Sequence, residues 1–581
     1  MGSSSSPEAG APARRIVRSP LGWMLVALGA LYLVNVGWGL PATDGWDNDG
    51  IAPRDFLYGL VRAYTPGEYY TYPPAHLLLL TVVSAPVWLP VLLRAPSREP
   101  PALVATFVTT GTMTALALLA RLVQCAMALG IVWAMARLGE EVGGRRAGLL
   151  AGALCGLLGV LGYYAHTTNL DVPALFWAAL ALLQLARAMV RDEPRRLRAV
   201  GVLAALSVAS KDQAAALFVL TVPAVLLLWS SPRPWRSAAE GLGLGALIYG
   251  LLGAPLLNPV GFLARVPSLL AAGHDYAAGP AALGGRLRVL GAALSHTRDF
   301  WPWPVLAVSL AGVVLAPGRA AGRGRRLAAL IPALAAVSFT LCFTLAARRS
   351  EHRFVLPQFV LLSVPGGLAL DRLLGAERWR RWSVPAVGGL LLLTGWGALR
   401  VAAAPLRDPR LPLERFLAAH VSGGERIETY GSNVFLPRFP PGTRVVRVDQ
   451  GIPVGQRNVL PGVEEVQARF DEAPVRDPAW IVAPRAYTGL WLAPEGGLPS
   501  ALDLRRASDV RTRDYFEALR RGTVAGYVHV ATFACAPGPW GAPRIHLSTC
   551  EPVDLLRRAD RGRSATSTPA GSPPAAASAT H

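Results

Sequence analysis

Hydrophobic residues fall in long runs, separated by short polar stretches, from about residue 20 to residue 401. Most runs approach the ~20 residues that an α-helix needs to cross a bilayer. The pattern predicts spans at 20–40, 114–137, 147–165, 171–190, 197–210, 213–229, 237–256, 300–317, 327–346, 354–373 and 383–401. We therefore expect a polytopic α-helical membrane protein with about eleven spans.

Residues 73–113 leave the number of spans open. The stretch is apolar, but Pro86 and Pro90 interrupt any helix that it forms. It either lies in the membrane interface, or it crosses the membrane and returns with residues 102–113, which gives thirteen spans. Both alternatives leave the sidedness of the later loops unchanged.

The pattern changes after Val401, where short apolar runs alternate with polar residues. The segments ERIETYG, TRVVRV, AWIVAP and GYVHVATF are typical of strands, and LERFLAAHV and RDYFEALRRG of helices. We predict four parts: an N-terminal segment (1–19), a transmembrane domain (20–401), an α/β domain (402–558) and a disordered, low-complexity tail (559–581).

Composition and charge narrow the class of protein. Hydrophobic residues make up 52% of the chain and charged residues 16%, which excludes an ordinary soluble globular protein. The net charge of +20 is also typical of nucleic-acid binding, but the arginines are spread over short loops such as 187–198, 319–326 and 372–381. Such loops are cytoplasmic by the positive-inside rule. We therefore expect no nucleic-acid partner, a multi-pass protein of a bacterial inner (plasma) membrane, a cytoplasmic segment 1–19, and residues 402–558 on the external side.

The polar residues that interrupt the hydrophobic pattern all fall on the predicted external face. They are Asp44, Asp47, Asp49, His166, Asn169, Asp171, Lys211, Asp212, Arg348, Arg349, Glu351, His352 and Arg353. The arginines in the last group break the positive-inside rule, so they require an anionic partner. At a membrane surface, the natural candidate is a lipid-linked phosphate.

Lys211 is the only lysine among 57 basic residues. An ammonium is a compact point charge suited to a phosphate, whereas a guanidinium is a flat fork. An ionisable group at the end of a membrane helix is a candidate functional residue. Two alternatives remain open: a boundary lysine that reaches the headgroups, and a structural ion pair with the adjacent Asp212.

Five short segments resemble, in order, motifs of the membrane glycosyltransferases of the GT-C class. They are WDND in the first external loop, YTYPPAHLLLL, TNLDVPALFW, SKDQAAALFVL and HRFVLP. The resemblance is strongest to the branch that contains the dolichyl-phosphate-mannose-protein mannosyltransferases and the lipid A aminoarabinose transferase. It covers the membrane part, so residues 20–401 are predicted to form a GT-C-like catalytic domain.

The resemblance implies an enzyme, a hexosyl or pentosyl transferase. Its donor is a polyprenyl-phosphate-linked sugar, its acceptor a glycan, a lipid or a protein, and transfer occurs on the external face with inversion. Transfer needs a base for the acceptor hydroxyl and positive charge for the departing phosphate. The predicted catalytic residues are Asp47, as first choice for the base, Asp49 and Asp171. The predicted substrate-binding residues are Lys211, Arg353, His352, Arg349, His166 and Tyr72.

Other roles for the carboxylates stay open. Protein mannosyltransferases show adjacent Asp-Glu where this chain has Asp-Asn-Asp, which leaves the base open among Asp47, Asp49 and, as third candidate, Asp44. Asp47 and Asp49 could also hold a divalent cation, or simply form an acidic turn. Asp171 also fits the N-terminal cap of a helix. No CxxC or HxxH spacing indicates zinc.

The cysteines support an external position for the C-terminal domain. Cys125, Cys155 and Cys342 lie in predicted spans and are expected to be small apolar residues. Cys535 and Cys550 lie in the predicted external domain, where a disulfide is permitted. We expect these two to pair.

A transporter or flippase of a lipid-linked intermediate is the alternative function. Transporters place charged groups near the midplane of the membrane, at broken helices related by a repeat. Here the charged positions lie at one face, and the sequence shows no repeat. This pattern favours the enzyme.

Overall fold

A computed structural model of the chain describes residues 19–47, 49–97, 99–229, 234–315, 318, 322–458, 460–492, 499–535 and 549–559. The predictions of a cytoplasmic N-terminal segment and of a disordered tail fall almost wholly outside these residues.

The first part of the described chain is helical. Its helices are α1 Pro20–Leu33, α2 Arg54–Tyr64, α3 Ala75–Val83, α4 Ala85–Arg94, α5 Pro100–Phe107, α6 Thr110–Gly143, α7 Arg145–Gly156, α8 Gly159–Ala165, α9 Asp171–Arg191, α10 Arg196–Ser210, α11 Thr221–Leu228, α12 Trp235–Leu252, α13 Pro259–Asp275, α14 Leu283–Ser295, α15 Thr297–Phe300, α16 Trp303–Leu315, α17 Arg323–Phe339, α18 Leu345–Ala347, α19 His352–Gly375 and α20 Arg380–Ala403. A 3₁₀ segment, Asp212–Leu217, precedes α11, and a π segment, Thr340–Thr344, joins α17 to α18.

Five helices in the described residues are long and apolar enough to cross a membrane, or up to seven if each of two bent pairs counts as one span. Every predicted span contains helix, but α1 has 14 residues and α10 has 15. At ~1.5 Å per residue, these reach roughly 21–23 Å, less than the ~30 Å of a bilayer core. The chain thus has the helices of a multi-pass membrane protein, and the number of eleven spans remains a prediction.

The stretch 73–113, whose number of spans the sequence leaves open, contains one of the bent pairs. Helices α3 and α4 meet at Ser84 with a bend of 71°. Pro86 occupies the first turn of α4, where its missing N–H is tolerated, and it prevents α3 from continuing. The bend therefore has a local cause in the sequence.

Glycines allow two helices to approach closely. A Cβ atom added to Gly201 of α10 would lie only 1.9 Å from the carbonyl oxygen of Gly241 in α12. A Cβ on Gly241 would lie 2.3 Å from the carbonyl oxygen of Leu197. Small residues at such crossings let backbones touch, as is common between membrane helices.

The largest apolar core lies between α6, α7, α9 and α19. Ile131, Leu154, Leu183 and Val360, one from each helix, are completely buried within it. Because partners surround α19, 83% of its most apolar stretch is buried. The start of α19, which carries several candidate residues, is thus held on a rigid element.

The chain after Ala403 forms a six-stranded sheet with flanking helices. The strands are β1 Arg426–Tyr430, β2 Arg444–Asp449, β3 Val463–Gln467, β4 Trp480–Pro484, β5 Tyr527–Phe533 and β6 Val553–Arg558, in the order β3-β2-β1-β4-β6-β5. The first four are parallel, and β6 pairs antiparallel with β4 and β5. The helices are α21 Arg410–His420, α22 Ala473–Arg476, α23 Arg485–Thr488, α24 Ala501–Ala507 and α25 Val510–Arg521.

Both faces of this sheet are covered. Tyr430, Phe470 and Phe516 are buried on one face, and Leu413 and Leu555 belong to a separate buried cluster. Strands β1, β2, β4 and β5 lie where the sequence pattern predicts β-structure. Strands β3 (VEEVQ) and β6 (VDLLRR) were not predicted, because charged residues interrupt their apolar positions.

Cys535 and Cys550 form a disulfide, as predicted. Cys125 and Cys155 are buried without forming a disulfide, in keeping with their expected role as small apolar residues.

Candidate functional site

An ion pair joins the first loop to the start of α19. An oxygen of Asp49 lies 2.5 Å from a terminal nitrogen of Arg353. Glu351 also contacts this guanidinium, at 2.9 Å, and reaches Arg349 with its other oxygen at 2.6 Å. Its carboxylate therefore bridges two arginines, much as a bound phosphate would.

A second ion pair joins α9 to the end of α10. The Nζ atom of Lys211 lies 2.6 Å from Oδ1 of Asp171, and both side chains are about 10% exposed. The other oxygen of Asp171 is buried without a hydrogen-bond partner among the described residues. Asp171 does not cap its helix: the N-cap position belongs to Leu170, and no side chain accepts a capping hydrogen bond there. The backbone N–H of Asp171 donates to the side chain of Asn169 at 2.6 Å.

The suggested pairing of Lys211 with Asp212 is wrong. Asp212 pairs with Arg265 of α13 at 2.6 Å. The backbone of Lys211 is extended, with φ −159° and ψ 121°, and successive side chains of an extended chain point to opposite sides. The two neighbours therefore face different partners.

Three cations surround the ring of Phe354. The ring centroid lies 5.5 Å from Nζ of Lys211, 4.5 Å from the guanidinium of Arg349 and 4.7 Å from that of Arg353. Phe354 itself is 1% exposed. We call Lys211, Arg349 and Arg353 the cationic cluster. A buried aromatic face supports cations that would otherwise repel each other.

Asp49 and Asp171 lie close enough to the cationic cluster to act on it electrostatically. Lys211 interacts with the charges of both carboxylates. Tyr72 and Tyr164 interact with the same two carboxylates and with Arg353. Tyr72 is 48% exposed, so it lies at the open side of this group, whereas Tyr164 is buried.

Asp47 faces a different environment. It accepts a hydrogen bond from the backbone N–H of Asp49 at 3.2 Å, the turn geometry that aspartate favours. It lines a cavity of about 180 Å³ together with Asp44, Arg121, Thr168 and Asn433. It also lies in the field of the buried Arg121. Although only one residue separates Asp47 from Asp49, the two side chains therefore have different neighbours.

The first loop is held from both sides. Arg121 of α6 donates hydrogen bonds to the carbonyls of Val36 and Trp38, at 2.6 and 2.7 Å. The loop residue Trp46 donates from its indole to the carbonyl of Leu436 at 3.0 Å.

Asp44 adds a polar link to the same C-terminal part of the chain. It accepts a hydrogen bond from Asn433 at 2.6 Å and forms an ion pair with Arg54 at 2.9 Å. These contacts fix the position of the loop that carries Asp49.

Two predicted histidines lie apart from the cationic cluster. His166 is 2% exposed, contacts the carbonyl of Gly162 through Nδ1 at 3.0 Å, and packs against the rings of Trp38 and Tyr163. His352 contacts Asp299 through Nε2 at 3.0 Å. Neither contact involves Lys211 or Arg353, so a substrate-binding role for these histidines stays a prediction.

At the predicted cation site formed by Asp47 and Asp49, Arg353 already occupies the carboxylate of Asp49. Asp49 is already neutralised by Arg353, and in the part of the chain that the structure describes these two carboxylates belong to no group of three potential metal ligands. A divalent cation there stays a prediction.

Sequence reasoning missed three residues near the site. Phe354 supports the cationic cluster, and Tyr164 interacts electrostatically with Asp49 and Arg353. Arg265 is 1% exposed, and its guanidinium lies 4.7 Å from the ring of Tyr70. The HRFVLP segment contains Phe354, but nothing in the sequence singles out Arg265 among the other arginines of the predicted external loops.

Comparisons with known proteins agree with this architecture. Residues 101–257 match the family model described as dolichyl-phosphate-mannose-protein mannosyltransferase. The fold is similar to that of ArnT from Cupriavidus metallidurans in the apo state, with 15% identity, a TM-score of 0.51, and 92% of this chain and 98% of that chain covered.

The crystal structure of the same ArnT bound to undecaprenyl phosphate gives 14% identity and a TM-score of 0.50 at the same coverage. No curated protein matches the sequence. The predicted resemblance to the GT-C class is confirmed, and with it the predicted class of enzyme, a membrane glycosyltransferase.

Proposed function

We propose that this protein transfers a sugar from a polyprenyl-phosphate donor to an acceptor on the external face of a bacterial inner membrane, with inversion. The observation that carries the proposal is the cationic cluster beside Asp49. Three cations and a carboxylate at one place can hold a phosphate and remove a proton from an acceptor hydroxyl.

The donor phosphate binds to Lys211, Arg349 and Arg353. In the structure, these cations are neutralised by Asp171, Glu351 and Asp49. Glu351 is 49% exposed, so its carboxylate can leave the two arginines at little cost when a phosphate enters. The crystal structure of ArnT with undecaprenyl phosphate supports a ligand of this chemical class.

Asp49 is the proposed base. It lies beside the place where the sugar–phosphate bond would be, and its ion pair with Arg353 orients it. Asp47 supports the turn that presents Asp49. Asp171 holds Lys211 in position, which makes it a positioning residue.

The C-terminal part of the chain is proposed to help select the acceptor. The cavity of about 180 Å³ lies between the first loop and residues such as Asn433 and Asn458. An acceptor that enters from this side would meet both the loop and the α/β part. The proposed acceptor is a glycan, a lipid or a protein, as the sequence resemblance implies.

A deletion strain tests the proposal. Mass spectrometry of lipids and envelope glycans should show accumulation of one polyprenyl-phosphate sugar and loss of one modified acceptor, and wild-type protein but not Asp49→Asn should restore both. Unchanged lipids and glycans would contradict a transferase. Restoration by Asp49→Asn would favour the flippase, which needs no base.

A further inference from the structure

Three potential metal ligands meet at the start of α19. His296 follows α14, Asp299 lies in the short helix α15, and His352 is the first residue of α19. One ligand atom from each lies within 4.8 Å of the other two. Nε2 of His352 lies 3.0 Å from Oδ2 of Asp299, and the two imidazole rings are 4.3 Å apart.

We propose that His296, Asp299 and His352 bind a divalent transition metal of the zinc type. Zinc takes imidazole nitrogen and carboxylate oxygen at about 2.0–2.2 Å, in tetrahedral geometry. Small rotations of the three side chains would bring their ligand atoms around one ion. Two imidazoles with one carboxylate leave the fourth position for water.

The surroundings shield the three ligands partly from solvent. The His352 side chain is 13% exposed and that of Asp299 is 21% exposed, so solvent reaches the group only partly. The ring of Phe300 stacks near His352 and shields one side. The hydrogen bond of His352 to Asp299 does not use His296, whereas an ion gives all three side chains one shared role.

The metal would link two segments that are distant in sequence, next to Arg353 at the start of α19. His296 and Asp299 belong to the segment between α14 and α16, and His352 directly precedes Arg353 in the chain. A bound ion would therefore fix the start of α19 and the direction of Arg353. In this role the three ligands are positioning residues, and the site is separate from the proposed transfer chemistry.

Metal content of the purified full-length chain tests the site directly. After removal of any affinity tag, treatment with a chelator and reloading with Zn²⁺, elemental analysis should give about one equivalent. Asp299→Asn and His296→Gln should each lower zinc affinity by at least tenfold, in line with the loss of a ligand. Loading with Co²⁺ should give the intense visible absorption of a tetrahedral site in wild-type protein, and Asp299→Asn and His296→Gln should lose it.

His274→Gln is the matched control. His274 lies 3.6 Å from Asp275, which makes a His–Asp pair without a second histidine, and it is 75% exposed. This variant should keep the zinc and the cobalt spectrum of the wild type. If Asp299→Asn and His296→Gln also keep them, or if the wild type binds no zinc, the proposed site is wrong, whatever the outcome for sugar transfer.

Discussion

Asp49 in the first loop and Arg353 at the start of α19 form an ion pair of 2.5 Å, which joins the proposed base to the proposed phosphate site. Four segments far apart in sequence meet here, because Asp171 and Lys211 form the neighbouring pair. A carboxylate next to a cationic cluster is the minimal arrangement for moving a sugar from a phosphate to a hydroxyl.

Asp49→Asn should lower turnover about 10²–10⁴-fold, the usual contribution of general acid–base catalysis, with donor binding retained. An amide cannot accept the proton from the acceptor, but it can still contact Arg353. Transfer assays with a defined polyprenyl-phosphate sugar and direct donor-binding measurements would separate the two effects.

Asp47→Asn is the matched comparison, two residues away. Asp47→Asn should lower turnover much less than Asp49→Asn, because its amide oxygen can still accept the hydrogen bond from the backbone N–H of Asp49. A large loss in Asp47→Asn with full activity in Asp49→Asn would move the base to Asp47. Full activity in both variants would remove the first loop from the chemistry.

Lys211→Ala should destabilise the protein and weaken donor binding strongly. It leaves the carboxylate of Asp171 buried without a partner, and breaking a buried ion pair costs about 3–5 kcal/mol. Thermal unfolding and donor binding are the two measurements. Lys211→Arg should rescue only partly, because the larger fork does not fit a point-charge site.

The double variant Lys211→Ala, Asp171→Ala separates structure from function. Removing both charges should restore much of the thermal stability, since no buried charge is left alone, but donor binding should stay weak. Recovery of donor binding and transfer together would show that Lys211 serves only the ion pair.

Glu351→Gln should increase affinity for the donor phosphate by about two- to fivefold, because it removes the anion that bridges Arg349 and Arg353. Glu464→Gln is the control, since Glu464 is similarly exposed and also contacts an arginine, Arg444, at 3.0 Å. Weaker binding in Glu351→Gln would mean that this carboxylate orders the arginines instead of competing with the phosphate.

Asn433→Ala should lower turnover more than it lowers donor binding. It removes a hydrogen bond to the buried carboxylate of Asp44, worth about 1.5–3 kcal/mol, and so loosens the first loop. Asn35→Ala is the control, because it removes an amide hydrogen bond of the same 2.6 Å length to Ala402. Equal effects of the two variants on turnover would argue against a role of the C-terminal part in fixing the loop.

Much of the site could be predicted from the hydrophobic pattern. Polar residues at the ends of apolar runs cost energy in a membrane, so they mark one functional surface. The structure brings Asp49, Asp171, Lys211 and Arg353 together as that pattern implies. The helices and the short strands β1, β2, β4 and β5 likewise follow local patterns.

The pairings could not be predicted, because they depend on tertiary geometry. Lys211 pairs with Asp171 and not with its neighbour Asp212, because the backbone of Lys211 is extended at the end of α10. The different environments of Asp47 and Asp49 arise from contacts of the first loop with Arg121 and Leu436. The His296, Asp299 and His352 group has no linear motif, because its members lie in two distant segments.

Binding of undecaprenyl phosphate, compared with undecaprenol, tests the central claim most directly. The variants are Lys211→Ala and Arg349→Ala, with Arg236→Ala as a control at a 93% exposed arginine outside the cluster. Wild type and control should bind the phosphate at least tenfold more tightly than the alcohol, and both cluster variants should lose that difference. Equal affinity of wild-type protein for the two lipids, or an unchanged preference in both cluster variants, would contradict a phosphate site formed by these cations.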